Sequence, residues 1–186
     1  MSPKPDSPSS QARPQATKGT GSAPAMPRIA AVQMASGPNV EGNLNEARRL
    51  IEIAVERGAQ LVALPEYFAI MGLKDTDKVA AREAEGKGPI QKFLASMAKK
   101  HKIWLIGGSV PMEASVAGKV RNSCLVYDDK GKLAARYDKI HLFGLDLGNE
   151  HFREEKTIEP GDRVVVVETP FGRMGLSICY DLRFPE

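Results

Sequence analysis

With 186 residues, 42% of them hydrophobic and 26% charged, the chain has the make-up of one globular domain with a real core. Its net charge of +3 arises from 26 basic and 23 acidic residues scattered along the sequence. No basic cluster is dense enough to predict nucleic acid or a membrane surface as a partner, and no apolar stretch reaches the ~20 residues of a membrane span.

Residues 1–26 are Pro-, Ser-, Gln-, Ala-, Thr- and Gly-rich, and up to Ala25 hold no aromatic residue and no Leu, Ile or Val. Such a segment cannot bury enough apolar surface to offset its ordering entropy and is read as a disordered tail. It lacks the apolar centre of a secretory signal, and a start of the chain at Met26 is an equal reading. The folded domain is expected over 27–186.

A short apolar strand spans 28–34, and Gly37-Pro38 breaks it. Asn43 is read as the cap of a helix, with Glu46 at the capping-box position. Leu44, Ala47, Leu50, Ile51, Ala54 and Val55 form one stripe, and Gly58 ends the helix. Residues 61–64 read as a buried strand stopped by Pro65, with Glu66 directly after it. The stretch 67–88 is irregular apart from a short helix about 77–84. Pro89 opens a second helix, with Ile90, Phe93, Leu94, Met97 and Ala98 on one face.

A strand over 103–110 is interrupted by Gly107-Gly108. Strands 120–127 and 132–137 form a hairpin around 129–131, with Lys139 just beyond its second strand. Residues 140–160 read as a loop-rich excursion closed by Pro160-Gly161. A last hairpin, 164–167 and 174–178, leads to Cys179, where strand gives way to helix-forming sequence. This order predicts an α/β fold with helices on one side of a mixed sheet and the other sheet face left bare.

Glu66, Lys139 and Cys179 each stand just past the end of a predicted strand, where ligand crevices form in open α/β sheets. The trio suits acyl transfer. The carboxylate accepts the thiol proton, and the ammonium stabilises thiolate and oxyanion. The protonated carboxyl then serves the leaving amine. Backbone N–H groups after Cys179, such as that of Tyr180, are further donors, and their dipole is expected to favour thiolate. The strand-to-helix position resembles the elbow that presents serine in other hydrolases, although G-x-S-x-G is absent.

Singly, each residue has a bland reading. Cysteine after a strand is more often a small core residue, and most lysines and glutamates are solvated charges. Glu154 reads equally as an exposed member of the Arg153–Lys156 run. Cys124, inside a strand, reads as core, and His141 as a packed or hydrogen-bonded histidine. So few cysteines fit a reducing, cytoplasmic setting. The three histidines make no zinc spacing with them, and neither metal nor cofactor is expected.

The segments LPEYF (64–68), YDKIHLF (137–143), FREEKTIEPGD (152–162) and ICYDLRFPE (178–186) resemble the nitrilase superfamily of carbon–nitrogen hydrolases. They are most similar to its amidase branch of omega-amidases and deaminated glutathione amidases. The resemblance implies an α-β-β-α sandwich, of which this chain would hold the N-terminal part. It implies Glu66 as general base, Lys139 as oxyanion partner, Cys179 as nucleophile and Glu154 as the carboxylate orienting the lysine. Tyr67, Phe143 and Tyr180 are expected as pocket walls, and Arg183 as a charge holding the elbow. Asp138 stands where several relatives carry arginine, which speaks against a carboxylate-binding role there. The implied substrate is a small-molecule amide, and a homodimer is the implied assembly. The chain ends seven residues past Cys179, whereas the family continues, so a C-terminally truncated and inactive fragment is the alternative reading.

Overall fold

In the computed structural model, residues 26–148 and 150–185 are described. The expected tail therefore falls, Met26 apart, outside the described residues. β1 (Ile29–Ala31) leads into α1 (Val40–Glu56). The cap of α1 is Asn39, whose side chain accepts from the Gly42 N–H at 2.8 Å. Asn43, expected as the cap, is instead buried within the helix. Its Nδ2 donates to the carbonyls of Gly37 (2.7 Å) and Ala69 (2.9 Å), which ties two loops together. The helix starts earlier than the periodicity suggested because Asn39 already supplies the cap.

β2 (Leu61–Ala63), the short α2 (Asp77–Ala80) and α3 (Pro89–His101) follow. The first turn of α3 is capped from a distance. Buried Glu83 accepts from the N–H groups of Ile90 (2.6 Å) and Gln91 (3.0 Å). α1 and α3 bury Ala47, Ile51, Ile90, Leu94 and Met97 against Val62, Leu105 and Leu125 of the sheet. Full burial of one such large aliphatic side chain contributes about 1.5–3 kcal/mol.

β1, β2 and β3 (Trp104–Ile106) are parallel neighbours. The long β5 (Val120–Tyr127) carries both β3 and β4 (Val110–Glu113) on one edge, antiparallel, and β6 (Leu133–Asp138) on the other. The register slips by one residue between β3 and β4. Gly107-Gly108 occupy that break. Gly108 has φ +54°, and a Cβ there would stand 2.0 Å from the Pro65 carbonyl oxygen. Only glycine lets the backbone after β2 approach so closely, and Glu66 rides on that backbone.

The excursion 140–160 holds more order than expected. β7 (Gly144–Leu147) and β8 (Glu150–Arg153) form a hairpin, followed by a 3₁₀ turn at Glu154–Lys156. Its strands are short and largely exposed, so they carry little apolar periodicity to be recognised by. The last hairpin pairs β9 (Val166–Thr169) with β10 (Gly172–Gly175), both shifted from the expected spans. This ribbon and the chain after it also correct the expected bare face. Val167, Leu176 and Ile178 pack on Cys124, Val126 and Tyr137 of the sheet. The covering is partial, since Ile29 remains 59% exposed.

Candidate active site

Glu66 lies three residues past β2 in a tight turn. Tyr67 next to it adopts a left-handed φ of 54°, held by its N–H donating to buried Ser109 Oγ at 2.9 Å. Lys139 follows β6 directly. Its N–H donates to the Asn122 carbonyl (2.9 Å), and its carbonyl accepts from Gly161 N–H (2.8 Å). A Cβ on Gly161 would stand 2.1 Å from the Asp138 carbonyl oxygen, so the Pro160-Gly161 turn is pressed against the lysine's backbone.

The Lys139 side chain is wholly buried. Its ammonium bonds Glu66 Oε1 at 3.2 Å and the two Glu154 oxygens at 3.1 and 2.9 Å. Glu154 is buried as well. It also accepts from Tyr67 Oη (3.2 Å) and from the Phe143 N–H (2.8 Å). Its neighbour Glu155 is exposed. Burial disfavours the charge on Lys139, but hydrogen bonds and fields from Glu154 and Glu66 outweigh it and hold the ammonium above its ordinary value. The Tyr67 hydroxyl is pushed up by burial and by the charges of Glu154 and Glu66, so it remains a proton donor.

Cys179 opens a five-residue 3₁₀ turn, Cys179–Arg183, and has φ 48°. A left-handed non-glycine residue costs about 1–3 kcal/mol and persists only where its surroundings hold it. The expected bias towards thiolate is not what the site produces. Cys179 is exposed, yet partial desolvation first, then the negative charge of Glu66, push its thiol up, against the smaller opposing effect of Lys139. A turn of five residues has too little aligned dipole to reverse this. The shift favours the thiol form, with the Glu66 carboxylate as its neighbour. Cys124 lies buried in β5, and burial pushes its thiol up to about 12.

The remaining expected residues fall around the sulfur. Phe143, Tyr180 and Arg183 line a cavity of about 450 Å³ with Cys179 and Leu182. Phe143 meets Tyr180 edge-on at 5.2 Å and Phe152 at 5.8 Å. Arg183 is exposed and pairs with no carboxylate among the described residues. Asp138 is held by Ser123 Oγ (2.5 Å) and Arg136 Nε (2.9 Å) and is committed to that network.

Sequence reasoning passed over Asn122, Ser109, Tyr137 and Asp181. Asn122 Nδ2 donates to Glu66 Oε1 at 2.9 Å, so one residue of β5 fixes both the glutamate and the lysine backbone. The available signal was a polar Asn-Ser pair running straight into the apolar stretch Cys124–Val126, where burial demands partners.

A family model described as carbon-nitrogen hydrolase matches residues 28–186. The chain belongs to the carbon–nitrogen hydrolase family. It is 42% identical over 161 residues to an omega-amidase of Xenopus tropicalis, covering 86% of this chain and 56% of that protein. It is 41% identical over 162 residues to a deaminated glutathione amidase of Synechocystis, covering 84% and 58% respectively. Among solved structures, Nit3 of Saccharomyces cerevisiae, a member of branch 10 of the nitrilase superfamily, superposes with a TM-score of 0.74. It is 31% identical, with 86% of this chain and 57% of that one covered. The NitFhit protein of C. elegans gives 0.72 at 34% identity, with 86% and 40% covered. The fold is accordingly that of the nitrilase superfamily. The chain spans about half the length of the curated relatives it matches.

Proposed function

We propose that the site hydrolyses the terminal amide of a small molecule through a cysteine thioester. The observation that carries this reading is the buried Lys139 ammonium, bonded to Glu66 and Glu154, with Glu66 and Lys139 both acting on the Cys179 thiol. The Cys179 proton passes to Glu66 as the sulfur attacks the amide carbonyl carbon. The carbonyl electron pair moves onto oxygen, next to Lys139. Glu66 returns the proton to the nitrogen, the C–N bond breaks, and ammonia leaves. Water then gives a proton to Glu66 and its hydroxide adds to the thioester carbonyl. The C–S bond breaks, the carboxylic acid is released and Glu66 reprotonates the sulfur. Glu154 keeps the ammonium in place throughout, while Phe143 and Tyr180 offer an apolar wall for a short carbon chain.

The names of the omega-amidase and deaminated glutathione amidase relatives support an amide over a nitrile as substrate. The test is ammonia release from alpha-ketoglutaramate by the 186-residue chain and by a Cys179→Ala variant. Turnover abolished by the substitution is expected. Turnover unaffected by it would remove the mechanism. A second reading is favoured by the exposure of Leu182 and Val164: an incomplete site that this chain by itself cannot turn over. A cooperative thermal melt together with turnover counts against it.

A further inference from the structure

We infer that Asp181 is a positioning residue whose carboxylate locks the Cys179 elbow to the segment bearing Lys139, and so sets where the sulfur stands. The inference rests on the reading of Cys179 as nucleophile. Asp181 is buried two positions after the cysteine. Its Oδ2 accepts from the Ile178 N–H (2.9 Å), immediately before the elbow, and from Tyr137 Oη (2.6 Å). Its Oδ1 accepts from the His141 N–H (2.9 Å) and lies 2.8 Å from His141 Nδ1. Tyr137 and His141 sit two residues either side of Lys139. One carboxylate thus clasps both flanks of the lysine and the residue preceding the cysteine.

The arrangement does two things that a generic buried carboxylate would not. Cys179 has a left-handed backbone, which a lone 3₁₀ turn does not enforce. The bond from Ile178 N–H back to Asp181, with Asp181 N–H donating to the Ile178 carbonyl at 3.1 Å, closes that turn on both sides. The bonds to Tyr137 and His141 then fix the closed turn relative to Lys139. His141 is itself braced by Phe184, stacked at 3.7 Å. The charges that act on the Cys179 thiol are those of Glu66, Lys139 and Glu154, and Asp181 is not among the leading ones. Its influence on the sulfur is geometric.

The test uses Asp181→Asn and Tyr137→Phe in the 186-residue chain. Tyr137→Phe removes one clasping bond and leaves the Asp181 charge untouched. Three quantities are read well below the melting temperature: the pH profile of Cys179 alkylation by iodoacetamide, the failure of Cys124 to label, and kcat and KM for ammonia release from alpha-ketoglutaramate. With the clasp opened, the sulfur is no longer held beside Glu66, whose charge keeps the thiol up. Both variants should then alkylate faster and at lower pH than wild type, Asp181→Asn more so, with Cys124 still unlabelled. kcat should fall roughly 10- to 100-fold in Asp181→Asn and less in Tyr137→Phe, with KM held within about threefold. Wild-type alkylation and kcat in both variants, with only a lowered melting temperature, would overturn the inference. So would a shift in Asp181→Asn with Tyr137→Phe unchanged, which marks a charge effect. If Asp181→Asn fails to fold, Tyr137→Phe decides alone. Should wild type release no ammonia, the alkylation profiles still decide the positioning role, and only the amidase reading is lost.

Discussion

Replacing Lys139 by methionine keeps most of the side-chain volume and deletes the charge between two carboxylates. The Lys139 side chain is 0% exposed, that of Glu154 5% and that of Glu66 23%. Without the ammonium, Glu154 retains only the Phe143 N–H and Tyr67 Oη as donors, and it faces Glu66 with nothing between them. Removing one partner of a buried ion pair typically costs about 3–5 kcal/mol, because the other charge stays buried and uncompensated. Against a total stability of about 5–15 kcal/mol, that is a large share. Glu154→Gln is milder: Lys139 still holds Glu66 at 3.2 Å, and the loss is that of a charge-assisted bond, about 1.5–3 kcal/mol. In the double variant both buried charges leave together. Its cost should fall short of the sum of the singles by about 0.5–3 kcal/mol. Urea unfolding followed through the single tryptophan, Trp104, measures all three. If Lys139→Met is already unfolded in water, the double variant should be the more folded of the two. A Lys139→Met cost below about 1 kcal/mol, or strict additivity, would refute the view of a strongly coupled buried cluster.

Gly108→Ala should destabilise the chain by at least ~2 kcal/mol, because its methyl would meet the Pro65 carbonyl oxygen; near-wild-type urea unfolding would contradict this. Cys124 should resist alkylation in the folded chain while Cys179 labels, and Glu66→Gln should move the Cys179 labelling profile to lower pH by removing a charge that holds the thiol up; mass spectrometry of labelled peptides reads both. Burial works against the Asp181 charge, but bonds from Tyr137, His141 and Ile178 hold the carboxyl below its usual range. Its contribution is therefore present above the unfolded value of about 3.9 and lost as pH falls through the lowered native value. The stability gap between wild type and Asp181→Asn should shrink on acidification below about pH 4, and a constant or widening gap in pH-dependent melts would be contrary. Glu83→Ala strips two N–H partners from the start of α3 and should cost about 1–3 kcal/mol in the same unfolding assay.

The two long helices, the first strands of the sheet and the β5–β6 hairpin were legible because their signals are local. The α3 stripe from Ile90 to Ala98 repeats at helical spacing, and Pro89 marks its first turn. Errors arose where local signals compete or fade. Asn39 and Asn43 are both plausible caps, and only the packing of loops 37 and 69 onto Asn43 removes it from that role. The β7–β8 hairpin carries little apolar alternation because its strands are mostly exposed. The bias of Cys179 towards thiolate was misjudged for a similar reason: the turn after it is visible in sequence, but its brevity and the desolvation of the thiol are not.

By itself the sequence determined which residue types stand at strand ends, and so which chemistry the chain could assemble. Glu66 and Cys179 follow apolar runs and Lys139 follows the second strand of a hairpin, and that is a matter of neighbouring residues. The tertiary structure alone decided that Lys139 is wholly buried between the carboxylates of Glu66 and Glu154. It also decided that Asn122 and Asp181 hold the parts together. These depend on strand pairing and loop approach, which join positions tens of residues apart through backbone hydrogen bonds and one close glycine contact. No periodicity encodes such distances; they are set when the sheet closes.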